Sequence, residues 1–127
     1  MRIASLLAVL LFAACDATGY SQADYEREHD AAVAELMAAI GTPRASSLAA
    51  CRVVAVGEQA CGGPTTFRVY SVETADSAEV ERLAARVAEI DRFAIRELGL
   101  VSTCELREPR PVLLVDGVCQ FEPIVLD

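Results

Sequence analysis

The stretch DSAEVERLAARVAEIDRFAIRELG, residues 76–99, decides the predicted fold because it specifies a long amphipathic helix with both ends marked. Asp76 and Glu79 have the spacing of a capping box at its start, and Gly99 can end it. Apolar residues recur between them at steps of three and four: Val80, Leu83, Val87, Ile90, Ala94 and Leu98. This spacing predicts a helix with one face against a core and the other in solvent.

A second amphipathic helix is predicted upstream, over residues 22–40. Ser21 and Asp24 have capping-box spacing at its start, while Gly41 and Pro43 favour termination at its end. Its apolar face carries Tyr25, His29, Ala32, Val33, Leu36 and Ile40.

Four short segments rich in β-branched residues predict strands. They are residues 52–56, 66–72, 112–115 and 118–121. Asp116-Gly117 separates the last two segments, which is a strong hairpin signal. The order helix, strand, strand, helix, strand, strand predicts a small α+β domain over residues 22–127, with its helices on one face of an antiparallel sheet.

The chain begins with a segment that is typical of an export signal. Arg2 supplies a positive charge, and residues 3–12 are apolar except for Ser5. A bilayer span takes about 20 residues, so this run is too short for a membrane helix and suits a signal peptide. We therefore predict a signal peptide over residues 1–14.

The next residues, Phe12-Ala13-Ala14-Cys15, resemble the lipobox of bacterial lipoproteins, with Phe12 where leucine is commonest. The resemblance implies that the Cys15 thiol carries acyl chains such as palmitate, which anchor the protein to a membrane. Residues 15–21 are then the lipidated cysteine and a short tether.

The lipobox predicts a bacterial envelope protein whose domain lies in the periplasm. Asp16 resembles a signal for retention in the inner membrane. The alternative is ordinary cleavage after Ala17-Thr18-Gly19, which fits the small-x-small rule and leaves no lipid.

Four further cysteines predict two disulfides, because export places them in an oxidising compartment. The favoured pairs are Cys61–Cys104 and Cys51–Cys119, since the helix at 76–99 runs back antiparallel to the strand before it. The pairing Cys51–Cys61 with Cys104–Cys119 stays open, because the intervening turn can fold back. No Cys-x-x-Cys pair is present, so we expect no metal.

The segment CGGP, residues 61–64, is the candidate recognition loop. Gly62 and Gly63 can adopt positive φ, and Pro64 fixes the exit of the turn. On a base tied by a disulfide, this loop is suited to recognition, and its backbone amides are suited to binding an anion. The alternative is a plain tight turn beside a disulfide.

Composition argues against two kinds of partner. Eleven arginines and no lysine stand against nineteen acidic residues, for a net charge of -8. Nucleic acids and anionic membrane surfaces both require a basic face, so we expect neither to bind electrostatically. The acidic excess is typical of a soluble surface.

Catalytic chemistry has little support in the sequence. His29 is the single histidine, and nothing resembles the nucleophile elbow of a serine hydrolase. We predict no catalytic residue and no cofactor. The leading hypothesis is a non-enzymatic module that binds an envelope protein, or more narrowly an inhibitor of an envelope or host protein.

Two alternatives remain open. One is a small periplasmic hydrolase that uses His29 with a carboxylate or a serine. The candidate serines are Ser46, Ser47, Ser71 and Ser102. The other is a purely structural component of the envelope.

From Cys51 onward, the chain also resembles small exported bacterial proteins of unknown function. The matching positions are Cys51, Gly57, Cys61-Gly62-Gly63-Pro64, Tyr70-Ser71, Ser102, Cys104, Pro111 and Gly117-Val118-Cys119. The resemblance implies a shared framework of cysteines and turns, and it carries no activity.

Overall fold

Two helices and four strands follow one another in the predicted order. The computed structural model describes residues 19–125, so the predicted signal peptide and Cys15 lie outside the described residues. The elements are α1 (Gln22–Ile40), β1 (Cys51–Val56), β2 (Thr66–Ser71), α2 (Ser77–Leu98), β3 (Val112–Val115) and β4 (Val118–Phe121). A 3₁₀ turn at Leu48–Ala50 precedes β1. The predicted α+β class is confirmed.

The ends of both helices follow from local hydrogen bonding. At α1, Ser21 and Asp24 form both halves of a capping box. At α2, the Asp76 carboxylate accepts from the Glu79 amide at 3.0 Å. Gly99 then ends α2 with φ 63° and ψ 35°, the left-handed conformation that glycine adopts without a steric penalty.

The main core lies between the two helices and the β1–β2 hairpin. Three residues of α1 and four of α2 meet two of β1 and one of β2. They are Ala32, Leu36, Ile40, Val54, Val56, Tyr70, Val80, Leu83, Ala84 and Val87. The predicted helical stripes are buried at Ala32, Leu36, Ile40, Val80, Leu83, Val87 and Ala94. Their other members are only partly buried: Tyr25, His29, Val33, Ile90 and Leu98.

The strands form two separate antiparallel hairpins, β1–β2 and β3–β4, and not one continuous sheet. The reason lies in the chain after α1, which occupies the outer edge of β4. Cys119 donates its amide to Pro43 at 2.8 Å, and the Ala45 amide donates to Gly117 at 2.9 Å. With that edge filled, β4 does not pair with β1 or β2.

The β3–β4 turn has the backbone that its sequence demands. Asp116 and Gly117 have φ values of 50° and 73°. Two successive positive values are required by the primed turn that closes a two-residue hairpin. The predicted hairpin is confirmed.

A smaller apolar cluster joins the two hairpins. Ala45, Ala50 and Cys119 are buried in it, and Val69 and Leu114 pack against them. Cys51 opens β1 and Cys119 lies in β4, so a covalent bond between them fastens the second hairpin to the first.

Residues 99–111 connect α2 to β3 without helix or strand. Most of this segment is exposed, including Val101 at 92% and Leu106 at 89%. Its position therefore depends on a few specific ties to the rest of the domain.

Tyr20, which the sequence places in the tether, contacts the helix pair. Its ring meets Phe93 of α2 edge-on, with 4.8 Å between ring centroids. Its hydroxyl donates to Glu28 of α1 at 3.3 Å. Tyr20 of the tether therefore packs against both helices of the domain.

Candidate functional site

Both favoured disulfides are present, which confirms the predicted pairing. Cys51 and Cys119 have Cα atoms 5.7 Å apart, and those of Cys61 and Cys104 are 5.3 Å apart. Cys119 is 2% exposed, whereas Cys61 and Cys104 are both at the surface. We call Cys51–Cys119 the inner disulfide and Cys61–Cys104 the outer disulfide.

The candidate recognition loop stands beside the outer disulfide. Gly62 and Gly63 have φ values of 89° and 85°, as the tight turn requires. The turn is closed by two backbone bonds with Gln59: its amide donates to the Gly63 carbonyl, and its carbonyl accepts from the Gly62 amide, each at 2.8 Å. The loop is thus exposed and also conformationally fixed.

Gln59 is the central support of this loop, and it is 7% exposed. Its side-chain amide donates to the Pro64 carbonyl at 2.8 Å and to the Glu105 carbonyl at 3.1 Å. It therefore ties the loop to the segment at 99–111, next to the outer disulfide. Sequence reasoning missed this residue, because a glutamine in a loop gives no signal of burial.

The backbone amides that the glycines expose are already engaged. The Gly62 amide donates within the turn, and the Gly63 amide donates to the Glu58 carboxylate at 3.2 Å. The Glu58 Oε2 also lies 3.4 Å from the Arg92 Nη1. An external anion at these amides must therefore displace a carboxylate of the protein itself.

Four clefts border this part of the molecule. Their volumes are about 360, 410, 170 and 170 Å³. Each is lined by residues of the β1–β2 hairpin between positions 54 and 68, and three also by residues between 100 and 110. We call residues 57–68 and 100–110 the loop face.

Beneath the loop face lies a buried carboxylate, Asp91 of α2, which is 2% exposed. It accepts a hydrogen bond from the Tyr25 hydroxyl at 2.9 Å and another from the Glu58 amide at 2.8 Å. Both bonds oppose the desolvation cost of a buried charge. Asp91 therefore joins α1, α2 and the start of the loop at one point.

Asp91 also explains why Gly57 is a glycine. Gly57 has φ 78°, and a Cβ built there would lie 2.7 Å from the Asp91 Oδ2 and overlap the Thr65 hydroxyl. The close approach lets the next amide reach the carboxylate. Sequence reasoning also missed Asp91, although a signal exists: it lies four residues after Val87 and three before Ala94, on the buried stripe of α2.

The surroundings of Asp91 alter the acidity of Tyr25. Partial burial, followed by the hydrogen bond to Asp91, raises the pKa of Tyr25 to about 12. The phenol therefore stays protonated at neutral pH and acts as a donor to the carboxylate.

His29 lies next to this carboxylate, with its Nε2 3.6 Å from the Asp91 Oδ1. The structure therefore brings together a histidine and an acid, but within residues 19–125 no candidate serine hydrogen-bonds to His29. Ser102 donates to the Cys61 sulfur at 3.5 Å, and Ser46 donates to Glu73 at 2.6 Å. The arrangement resembles a structural cluster more than a nucleophilic triad.

Two kinds of structural feature are absent from residues 19–125. No helix there is long and apolar enough to cross a membrane. No group of three or more histidine, cysteine or acidic side chains there is arranged to hold a metal ion.

Comparison with protein-family models, curated proteins and solved structures finds no match to this chain. The site itself therefore carries the functional argument.

Proposed function

We propose that this protein is a lipid-anchored binding module of the bacterial envelope, and that it recognises another envelope protein through the loop face. The proposal rests on the position of four clefts. All of them are lined by residues of the β1–β2 hairpin, beside an exposed and rigid turn. Concave surfaces built on a fixed backbone are typical of binding sites.

The covalent framework supports recognition more than catalysis. The outer disulfide and Gln59 hold the exposed turn against the segment at 99–111. This support reduces the conformational entropy that the loop face loses on binding, which favours affinity. The buried Asp91 also holds the loop in place, since its two shortest hydrogen bonds position α1 and the Glu58 amide.

Membrane attachment forms the other half of the proposal, and it depends on Cys15. Five residue steps separate Cys15 from Tyr20, so an acylated Cys15 holds the domain within ~18 Å of the bilayer. Its partner is then another protein at the membrane surface. Labelling with a fatty-acid analogue tests this half: wild type takes up label and Cys15→Ser does not. Equal labelling of the two contradicts lipidation.

Affinity capture from envelope extract tests the recognition half, with oxidised residues 19–127 as the immobilised protein. Leu106→Asp places a charge on the loop face at a side chain that is 89% exposed, so the fold tolerates it. Ile124→Asp is the matched control, because Ile124 is 69% exposed and lies outside the loop face.

The proposal predicts a protein that wild type and the Ile124 variant retain and that the Leu106 variant loses. Retention of the same proteins by all three, or by none, contradicts recognition through the loop face.

A further inference from the structure

One cleft of the loop face is lined by several positive charges, although the protein is acidic. It has a volume of about 410 Å³ and lies between Thr66–Arg68 of β2, residues 106–110 and Phe121 of β4. Three of the eleven arginines lie in its walls, although the chain carries a net charge of -8. They are Arg68, Arg107 and Arg110.

Most of this positive charge has no carboxylate partner within residues 19–125. The Arg68 guanidinium donates to the Phe67 carbonyl at 3.3 Å, and that of Arg110 donates to the Glu122 carbonyl at 2.7 Å. These bonds orient the guanidiniums without neutralising them. The Arg107 Nη2 lies 3.7 Å from the Glu105 Oε2, but both side chains are exposed, so this ion pair contributes little stabilisation in water.

The cleft also has apolar surface beside its charges. Phe67, Leu106 and Phe121 line it. The Arg110 guanidinium carbon lies 5.2 Å from the centroid of the Phe121 ring. Apart from the N–H that binds the Glu122 carbonyl, the N–H groups of Arg110 remain available to a carboxylate.

One wall of the cleft is an unpaired strand edge. Within the described residues β2 forms strand hydrogen bonds with β1 alone, and β4 lies near β2 without pairing with it. A free edge can accept an extended peptide as an added strand. Backbone pairing, apolar contacts and guanidiniums together fit a peptide better than a small inorganic anion.

We infer that this cleft binds an extended, acidic segment of the partner protein, with its carboxylates on the three arginines and apolar side chains against Phe67 and Phe121. The inference rests on the proposed function and adds the chemistry of the ligand. The proposed attraction is confined to one cleft, so the net charge of -8 on the whole chain does not oppose it locally.

A fluorescein-labelled peptide of alternating glutamate and valine is the probe, titrated into oxidised residues 19–127, which contain every described contact. Polarisation measures binding. The expected result is saturable binding that weakens as salt rises, with no binding of the lysine–valine counterpart. Inorganic phosphate should compete only weakly, because it lacks the strand and the apolar side chains.

Arg107→Gln and Arg110→Gln should each weaken binding of the glutamate–valine peptide about tenfold, by loss of a charge-assisted contact. Arg96→Gln is the matched control, because it removes the same charge from an exposed site on α2 outside the cleft. Binding by Arg96→Gln should equal that of wild type.

Equal weakening by all three substitutions, or no binding by wild type at millimolar protein, overturns the inference. Competition by phosphate as strong as that by unlabelled peptide also overturns it. The envelope capture distinguishes this failure from failure of the proposed function. A partner that is lost with Leu106→Asp but retained by both arginine variants would support recognition through the loop face and contradict binding at the arginines.

Discussion

The inner and outer disulfides join residues 68 and 43 positions apart, yet they hold very different regions. Loop entropy scales with the logarithm of loop length, so it predicts about 4 kcal/mol of stabilisation from each. Any difference between them must therefore come from their surroundings in the folded protein.

Those surroundings differ in packing. The inner bond lies in the cluster of Ala45, Ala50, Val69 and Leu114, between two hairpins. The outer bond lies at the surface and holds residues 99–111, which have no helix or strand. We therefore expect the inner bond to maintain the fold, while the outer bond shapes the surface that we propose to be functional.

The largest expected effect follows from removing the inner bond. Cys51→Ala with Cys119→Ala should lower the free energy of unfolding by about 5 kcal/mol, since a packing defect adds to the lost loop constraint. Urea denaturation measures this value by linear extrapolation. A loss smaller than that of the variant without the outer bond would contradict a role of the inner bond in the core.

Removing the outer bond should lower the free energy of unfolding by less than removing the inner bond. In Cys61→Ala with Cys104→Ala, the segment at 99–111 gains freedom in the folded state, which offsets part of the entropy gained by the unfolded chain. We expect a loss of about 3 kcal/mol in the same urea experiment. Equal losses for the two double variants would show that the outer bond supports the core as well.

A substitution at Asp91 tests how much the hydrogen bonds beneath the loop face contribute to stability. Asp91→Asn keeps the volume but weakens the hydrogen bonds to Tyr25 and to the Glu58 amide, so we expect a loss of about 2 kcal/mol. Glu89→Gln is the matched control, because Glu89 is an exposed acid on the same helix. A loss shared by Glu89→Gln would assign the effect to helix charge instead.

The smallest expected effect is a pH dependence from Tyr25, because solvent screens the charge of a phenol that is only partly buried. Its pKa is raised to about 12 in the folded protein, above the ordinary value near 10, so the fold favours the protonated phenol. The stabilisation is fully present below pH 10 and is lost as the pH rises towards 12. Thermal unfolding of wild type and Tyr25→Phe should converge across this window, and parallel curves would contradict the assignment.

Local signals in the sequence predict the fold well. Both helices have explicit caps, and Asp116-Gly117 specifies its hairpin. The two-hairpin arrangement was not predictable in the same way. It depends on the chain at 43–45 filling the edge of β4, a contact between distant segments that no local pattern announces.

The candidate site also has parts that local sequence predicts and parts that depend on long-range contacts. Glycine and cysteine chemistry identifies the exposed turn at 61–64 and the outer disulfide. The residues that support them, Gln59 and Asp91, act through burial and long-range hydrogen bonds. The arginine cleft likewise forms only when β2, β4 and the segment at 106–110 meet in space.

The most direct test of the division between the two disulfides is backbone ¹⁵N relaxation of oxidised wild type and of Cys61→Ala with Cys104→Ala. We predict that order parameters fall below about 0.6 for residues 100–110 in the variant, while those of α1, α2 and β4 stay at about 0.85. A fall spread through both helices and β4, or no fall at residues 100–110, would contradict the account.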